Sequence, residues 1–201
     1  MELKNFLEEL QEEIAEYEDM FGDYGIKLSR DKGCSAPGPY PEIKVIKPNT
    51  YYAQLLLMDY AGTVSELSAI CQYVHHHLQF SSKYEDLADL EECIAITEMK
   101  HLEMLGETIK LLGVDPQYYS IEQNQKKYWD ASVIFYGKDI CDRLAADIAG
   151  EKAAINQYRE HYKAIDDPYV KAILARIIKD EQYHVYLLYK WLHKYGCLTK
   201  E

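Results

Sequence analysis

The sequence predicts an all-α protein built around a bundle of four long helices. Three observations support this fold class: apolar residues recur at helical spacing along most of the chain, four of the six prolines fall in one short stretch, and only the middle connection between the helices is long. The chain has 201 residues, of which 48% are hydrophobic and 28% charged, so it is long and apolar enough to bury a core.

Residues 1–48 are predicted to form a helix followed by an extended arm. Apolar side chains recur at helical spacing from Leu3 to Tyr17, flanked by glutamates, and an amphipathic helix is therefore expected to end near Gly22. Residues 33–48 hold the four clustered prolines, which lack the amide hydrogen that helices and sheets need. This stretch therefore predicts an arm rather than a regular element.

Residues 49–201 are predicted to form the bundle itself. Helical patterning covers 49–78 and 81–112 in the first half, and 139–165 and 166–196 in the second. Helices of about 27–30 residues would each be about 40–45 Å long, because each residue adds 1.5 Å. The connection at 114–137 is long, which predicts a bundle with one long crossover between its second and third helices.

The two halves of the bundle resemble each other, and this predicts a duplicated helical hairpin. Residues 65–73 align with 150–158 at a displacement of 85, and residues 98–101 align with 181–184 at a displacement of 83. A change of two residues in the hairpin turn accounts for the difference. Since a duplication relates equivalent positions by a pseudo-twofold axis, a functional site is expected near that axis.

Each half supplies one glutamate on its first helix and a Glu-x-x-His pair on its second. The i, i+3 spacing puts the carboxylate and the imidazole on one face of the helix, about one turn apart. These glutamates lie on apolar stripes of their helices, where burying a carboxylate without a partner would be energetically costly. Four carboxylates and two imidazoles suit a dinuclear metal site in a bundle. The predicted metal ligands are Glu66, Glu98, His101, Glu151, Glu181 and His184.

Three further residues are predicted to lie beside these ligands. Asp180 is placed to accept the free ring N–H of His101, with an exposed helical aspartate as the alternative. Tyr73 and Tyr158 each follow a first-helix glutamate by seven residues and so share its helix face. They are expected either to hydrogen-bond the carboxylates and gate access, or to pack in the core with a satisfied hydroxyl.

Other histidines and the cysteines predict less chemistry. The consecutive residues His75–His77 point around a helix and cannot chelate together, so surface and packing roles are expected. The five cysteines are odd in number and lack any Cys-x-x-Cys spacing, which argues against a disulfide framework and a zinc or rubredoxin-type site. We expect reduced thiols, with Cys34 in the arm as the exposed one.

Charge and hydropathy argue against two classes of partner. The chain has 34 acidic and 22 basic residues, a net charge of −12, which disfavours binding to phosphate backbones and hence to nucleic acid. It holds no run of about 18 apolar residues that predicts a membrane span, and its first residues do not match a signal peptide. A cytoplasmic protein is expected.

The arm and the 19 tyrosines favour a homo-oligomer, a dimer or larger.

The whole pattern resembles the ferritin-like dimetal carboxylate superfamily over about residues 49–196. Within it, residues 97–104, Glu66 with its downstream Gln-Tyr pair, and the Tyr-Pro pair of the arm resemble manganese catalases and their spore-coat relatives. Rubrerythrins are the other near relatives. They carry an extra carboxylate where this chain has Ala154, and often a rubredoxin module for which this chain has no cysteine pairs.

This resemblance implies two Mn or Fe ions per chain, divalent or trivalent, that disproportionate hydrogen peroxide to water and oxygen. Two adjacent metals can share the two-electron change that this reaction needs. Glu98 and Glu181 are expected to bridge the metals or transfer protons, and the resemblance allows Glu181 to be a catalytic proton carrier outside the ligand set. The alternatives are a rubrerythrin-like di-iron peroxidase acting on peroxide or another small oxidant, and a non-catalytic metal-binding or coat-like protein, for which a spore-coat location is possible by resemblance.

Overall fold

The computed structural model describes residues 3–22, 34–123 and 125–198, and the expected start of the arm at Gly33 lies outside these ranges. The predicted fold class is confirmed, since α3 pairs with α4 and α5 with α6 to build a four-helix bundle. No helix in the described ranges is long and apolar enough to cross a bilayer. The elements are α1 Leu3–Phe21, α2 Thr50–Ala61, α3 Glu66–Phe80, α4 Glu85–Leu111, β1 Tyr119–Glu122, β2 Gln125–Tyr128, a 3₁₀ turn Ala131–Val133, α5 Ile140–Ala164 and α6 Pro168–Lys194.

The first bundle helix is broken, whereas the sequence analysis predicted one continuous helix. α2 ends at Ala61, and α3 begins at Glu66. Gly62 disfavours helix, and Ser65 caps the new helix because its hydroxyl oxygen accepts a hydrogen bond from the backbone N–H of Ser68 at 3.3 Å. The break places Glu66 in the first turn of α3, where the helix dipole favours a negative charge.

The long crossover between α4 and α5 carries structure of its own. Strands β1 and β2 pair antiparallel, with Tyr119 opposite Tyr128, and β1 packs against α2. The long connection is predicted by the sequence, whereas this hairpin is not. Strands of four residues are too short to show a clear alternation of polar and apolar side chains.

Apolar side chains form two buried clusters, one toward each end of the bundle. On α4, the buried apolar residues within 87–95 belong to the first cluster and those within 104–109 to the second. On α6 the order is reversed, with residues 170–177 in the second cluster and 183–192 in the first. The core therefore leaves a buried polar layer between the clusters, and each Glu-x-x-His pair falls in it.

The arm, residues 34–48, runs along α4 and α6 without helix or strand. The backbone N–H of Ala36 donates to Asp180 Oδ1 at 2.7 Å, and its carbonyl accepts a hydrogen bond from Arg176 at 2.8 Å. Farther along, the N–H of Ile46 donates to Asp167 Oδ2 at 2.7 Å. These contacts hold the arm on the outer side of the two helices that carry the Glu-x-x-His pairs.

Four of the five cysteines form disulfides, so the expectation of reduced thiols is wrong for them. Cys34 bonds to Cys93 on α4, and Cys141 at the start of α5 bonds to Cys197 after α6. Cys34, expected to be an exposed thiol, is buried. The partners are 59 and 56 residues apart in sequence, so no local spacing reveals them, while their Cα atoms lie only 5.2 and 5.4 Å apart. Of the described cysteines, Cys71 is free.

Asp167 joins two parts of the fold, and its removal should weaken both. It caps α6 by accepting hydrogen bonds from the backbone N–H groups of Tyr169 and Val170, and it also holds the arm at Ile46. Asp167→Ala is expected to lower the free energy of unfolding by about 1–2 kcal/mol, measured by urea denaturation. The neighbouring exposed Asp166→Ala is the control, and an equal loss in both variants would contradict this role.

Candidate metal centre

The polar layer contains all six predicted ligand residues, each of them at most 4% exposed. Their ligand atoms form two groups of four, and within each group all atoms lie within 4.8 Å of one another. Glu98 and Glu181 belong to both groups. Glu66 and His101 complete the first group, and the equivalent residues of the second half complete the other. The structure therefore assembles two neighbouring positions, each of which could hold a cation.

Glu98 and Glu181 each face both histidines. The two carboxylate oxygens of Glu98 lie 2.9 Å from His101 Nδ1 and 3.0 Å from His184 Nδ1. Those of Glu181 lie 3.2 and 2.9 Å from the same two nitrogens. Each carboxylate thus has one oxygen toward each imidazole, which is the arrangement of two carboxylates that bridge a pair of metals.

Glu66 and Glu151 lie at the outer sides of the layer. Each has a carboxylate oxygen near one histidine, at 3.6 and 3.5 Å from Nδ1. Each also accepts a hydrogen bond from a tyrosine of the opposite half: the hydroxyl of Tyr158 donates to Glu66, and the hydroxyl of Tyr73 donates to Glu151. The two tyrosines therefore link the halves and orient the outer carboxylates.

The outer nitrogen of each imidazole also has an acceptor. Asp180 Oδ2 lies 2.9 Å from His101 Nε2, and the carbonyl oxygen of Cys34 lies 3.1 Å from His184 Nε2. When Nε2 donates a hydrogen bond, Nδ1 is left with a lone pair directed at the layer. The role of Asp180 was predictable from the sequence, whereas that of Cys34 was not, because any residue type can supply a backbone carbonyl.

The carboxylates and imidazoles of the layer change one another's pKa values. Burial, together with the neighbouring carboxylates, raises the pKa of Glu66 and of Glu151 well above the ordinary value. Burial would also raise the pKa of Glu98, but His184 and His101 outweigh it and hold that pKa well below its ordinary value. Four carboxylates and two imidazoles carry enough negative charge and enough donor atoms for two divalent cations, so the residues fit such a pair.

A cavity of about 220 Å³ reaches the layer between α3 and α5. All four glutamates of the layer line it, together with Tyr73 and Tyr158. Exposed residues such as Thr63 and Phe135 also line it, so it opens toward the surface. The two histidines are absent from the described lining and lie on the side covered by the arm. A small molecule can therefore approach the carboxylates while the imidazoles stay covered.

Two buried His–Asp pairs, which were not predicted from the sequence, lie beside the layer. His76 Nδ1 lies 2.8 Å from Asp147 Oδ2. In the other half, His161 Nδ1 lies 2.7 Å from Asp59 Oδ2. His76 is fully buried, so a surface role does not apply to it. The signal was present, since Gln-Tyr-x-x-His recurs in both halves at a displacement of 85 residues.

Comparison with known sequences places the chain in a family. A profile of the ferritin-like domain matches residues 63–197, which include all six residues of the layer. The chain is 27% identical to a probable manganese catalase from Clostridium acetobutylicum over 171 residues, 76% of this chain and 75% of that protein. It is 32% identical to a bacterioferritin from Desulfovibrio desulfuricans over 124 residues, 60% and 64% of the two chains. The chain belongs to the ferritin-like family.

Solved structures give the same result. A manganese catalase from Anabaena PCC7120 superposes with a TM-score of 0.74 and 28% identity over 82% of this chain and 81% of that one. The Desulfovibrio desulfuricans bacterioferritin superposes with a TM-score of 0.63 and 25% identity over 74% and 82%. The predicted resemblance to the ferritin-like dimetal superfamily, with manganese catalases among the relatives, is confirmed.

Loss of the Cys34–Cys93 disulfide should weaken metal retention, because this bond holds the carbonyl that faces His184. Paired Cys34→Ser and Cys93→Ser substitutions are expected to lower metal affinity about tenfold, the lower end of the effect of removing an outer hydrogen-bond partner. Competition with a chelator measures the change. Paired substitution of the second disulfide, at Cys141 and Cys197, is the control. An equal loss in both variants would indicate a general effect on stability instead.

Proposed function

We propose that the protein is a manganese-catalase-like enzyme that converts two molecules of hydrogen peroxide into two of water and one of oxygen. The observation that carries this proposal is the pair of carboxylates, Glu98 and Glu181, each facing both histidines at a cavity wall. Similarity to manganese catalases supports peroxide as the substrate. The proposed metal ligands are Glu66, Glu98, His101, Glu151, Glu181 and His184.

We assign the ligands to two metal positions. Glu66 and His101 would hold one ion, Glu151 and His184 the other, and the two remaining glutamates would bridge them. The partition follows from the distances, since each outer glutamate lies near one imidazole and each bridging glutamate near both. Manganese and iron both suit carboxylate and imidazole ligands, and relatives of both kinds support either metal.

When bound, the metal pair supplies a reversible two-electron change. Reducing one peroxide to water takes up two protons, and oxidising a second to oxygen releases two, so the site must hold protons between the half-reactions. We assign one of these protons to Glu181, which lines the cavity: when this side chain takes up the proton, one of its carboxylate oxygens would leave the metals to carry it. Tyr73 and Tyr158 hold the outer carboxylates in place.

The arm and the cavity divide the surroundings of the site. On one side, the covered histidines keep their outer hydrogen bonds and fixed orientation. On the other, the cavity admits a molecule the size of peroxide. Ala154 lines this cavity at the position where rubrerythrins carry an extra carboxylate, which favours the catalase-like reaction over the peroxidase. Self-association into a dimer or larger assembly remains a prediction.

Oxygen evolution from peroxide tests the proposal. Protein loaded with Mn²⁺, or separately with Fe²⁺, is expected to release one oxygen for every two peroxides without a reductant, as measured with an oxygen electrode. Glu181→Gln is expected to lower kcat by about 10²–10⁴-fold, the usual contribution of a proton-transfer group. His101→Ala is expected to lose metal, with helix content followed by circular dichroism.

The control for these variants is Glu103→Gln, which makes the same change at an exposed position of α4 and is expected to keep full turnover. Two results would contradict the proposal. Peroxide consumption only with an added reductant would indicate a rubrerythrin-like peroxidase. Metal-loaded protein with no peroxide turnover would indicate a role in binding or storing metal, as the bacterioferritin relatives suggest.

A further inference from the structure

We propose that His76, Glu91 and Asp147 form a third cation site beside the polar layer, suited to a divalent ion such as Mn²⁺ or Fe²⁺. Each residue comes from a different helix, namely α3, α4 and α5. One ligand atom from each lies within 4.8 Å of the others, and all three side chains are buried. Two carboxylates and one imidazole match the oxygen and nitrogen ligands that these ions prefer.

Glu91 is the first observation that supports this site. Its side chain is fully buried, and neither carboxylate oxygen has a hydrogen-bond partner among the described residues. Burial and the nearby charges of Asp147 and Glu151 raise the pKa of Glu91 well above its ordinary value. A buried carboxylate without a partner is costly, and a cation held between Glu91 and Asp147 removes that cost.

The ring nitrogens of His76 are the second observation. Nδ1 lies 2.8 Å from Asp147 Oδ2, and Nε2 lies 2.8 Å from the carbonyl oxygen of Phe135. A neutral imidazole has one N–H and can donate to only one of these acceptors. If Nε2 donates to Phe135, Nδ1 presents a lone pair toward the carboxylates. The two histidines of the polar layer show the same pattern, with Nδ1 inward and Nε2 on an outer acceptor.

The second half of the bundle offers an internal comparison. It has the equivalent buried pair, His161 with Asp59. The position equivalent to Glu91, displaced by 83 residues, holds the fully buried Leu174. An apolar side chain therefore fills this place in one half, so the bundle does not need a carboxylate there. Glu91 adds the third ligand in one half alone.

The site has a route to solvent and to the polar layer. Asp147 lines the same cavity as the four glutamates of the layer. Asp147 also precedes Glu151 by one turn of α5, so the two carboxylates share a helix face. An ion that enters through the cavity meets Asp147 as well as the four glutamates of the layer. The site is thus connected to the cavity through Asp147.

The test counts and locates bound metal in the wild-type protein and in two variants of Glu91. Metal-free protein is equilibrated with Mn²⁺ alone by dialysis, manganese per chain is measured, and crystals grown with Mn²⁺ give anomalous difference maps. The wild type is expected to bind three ions per chain, with one anomalous peak between His76, Glu91 and Asp147. Glu91→Gln keeps the shape and is expected to bind two, without that peak.

A second variant, Glu91→Leu, copies the residue that the other half already accommodates, and it is also expected to lose the third ion while remaining folded. Asp59→Asn changes the matching pair and is the control, expected to retain the peak. The proposal is overturned if wild-type crystals show no peak at this cluster at saturating Mn²⁺, or if either Glu91 variant retains it. Because the peak is located independently of the polar layer, its outcome is separate from that of the proposed catalase reaction.

Discussion

The fold is organised around the burial of four carboxylates in the middle of a helical bundle. Such a layer is stable only when its negative charge is offset, whether by protons on the carboxylates, by imidazolium rings or by bound cations. His101 and His184 are placed to serve in either state, because each ring faces several carboxylates. The apolar clusters on both sides confine these charged side chains to the middle of the bundle. Packing and chemistry in this protein therefore depend on the same layer.

The features predictable from sequence are those that a single helix or an internal repeat encodes. Helical geometry alone was enough to predict that Glu98 and His101, and likewise Glu181 and His184, share a helix face. The duplication indicated that the two halves would meet at one site. The short break before Glu66 was harder to predict, because helical periodicity continues on both sides of it.

Other features depend on contacts between segments that lie far apart in the chain. The disulfide of Cys34 closes a separation of 59 residues, and the acceptor for His184 is a backbone carbonyl that any residue type could supply. The partner of His76 lies 71 residues away, on α5. The repeated Gln-Tyr-x-x-His marks His76 itself, but no local pattern identifies these distant partners, so the pairings became visible only in three dimensions.

The arm has a consequence for how the centre responds to its surroundings. The carbonyl of Cys34 faces one imidazole, and Asp180, which faces the other, is held by the arm at Ala36. Oxidation of Cys34 and Cys93 to the disulfide and metal binding at the histidines thus both depend on the position of the arm, so the two processes are thermodynamically linked. Whatever factor the disulfide adds to metal affinity, bound metal must add to the stability of the disulfide. A metal-loaded chain would therefore resist reduction at this cysteine pair more than a metal-free one.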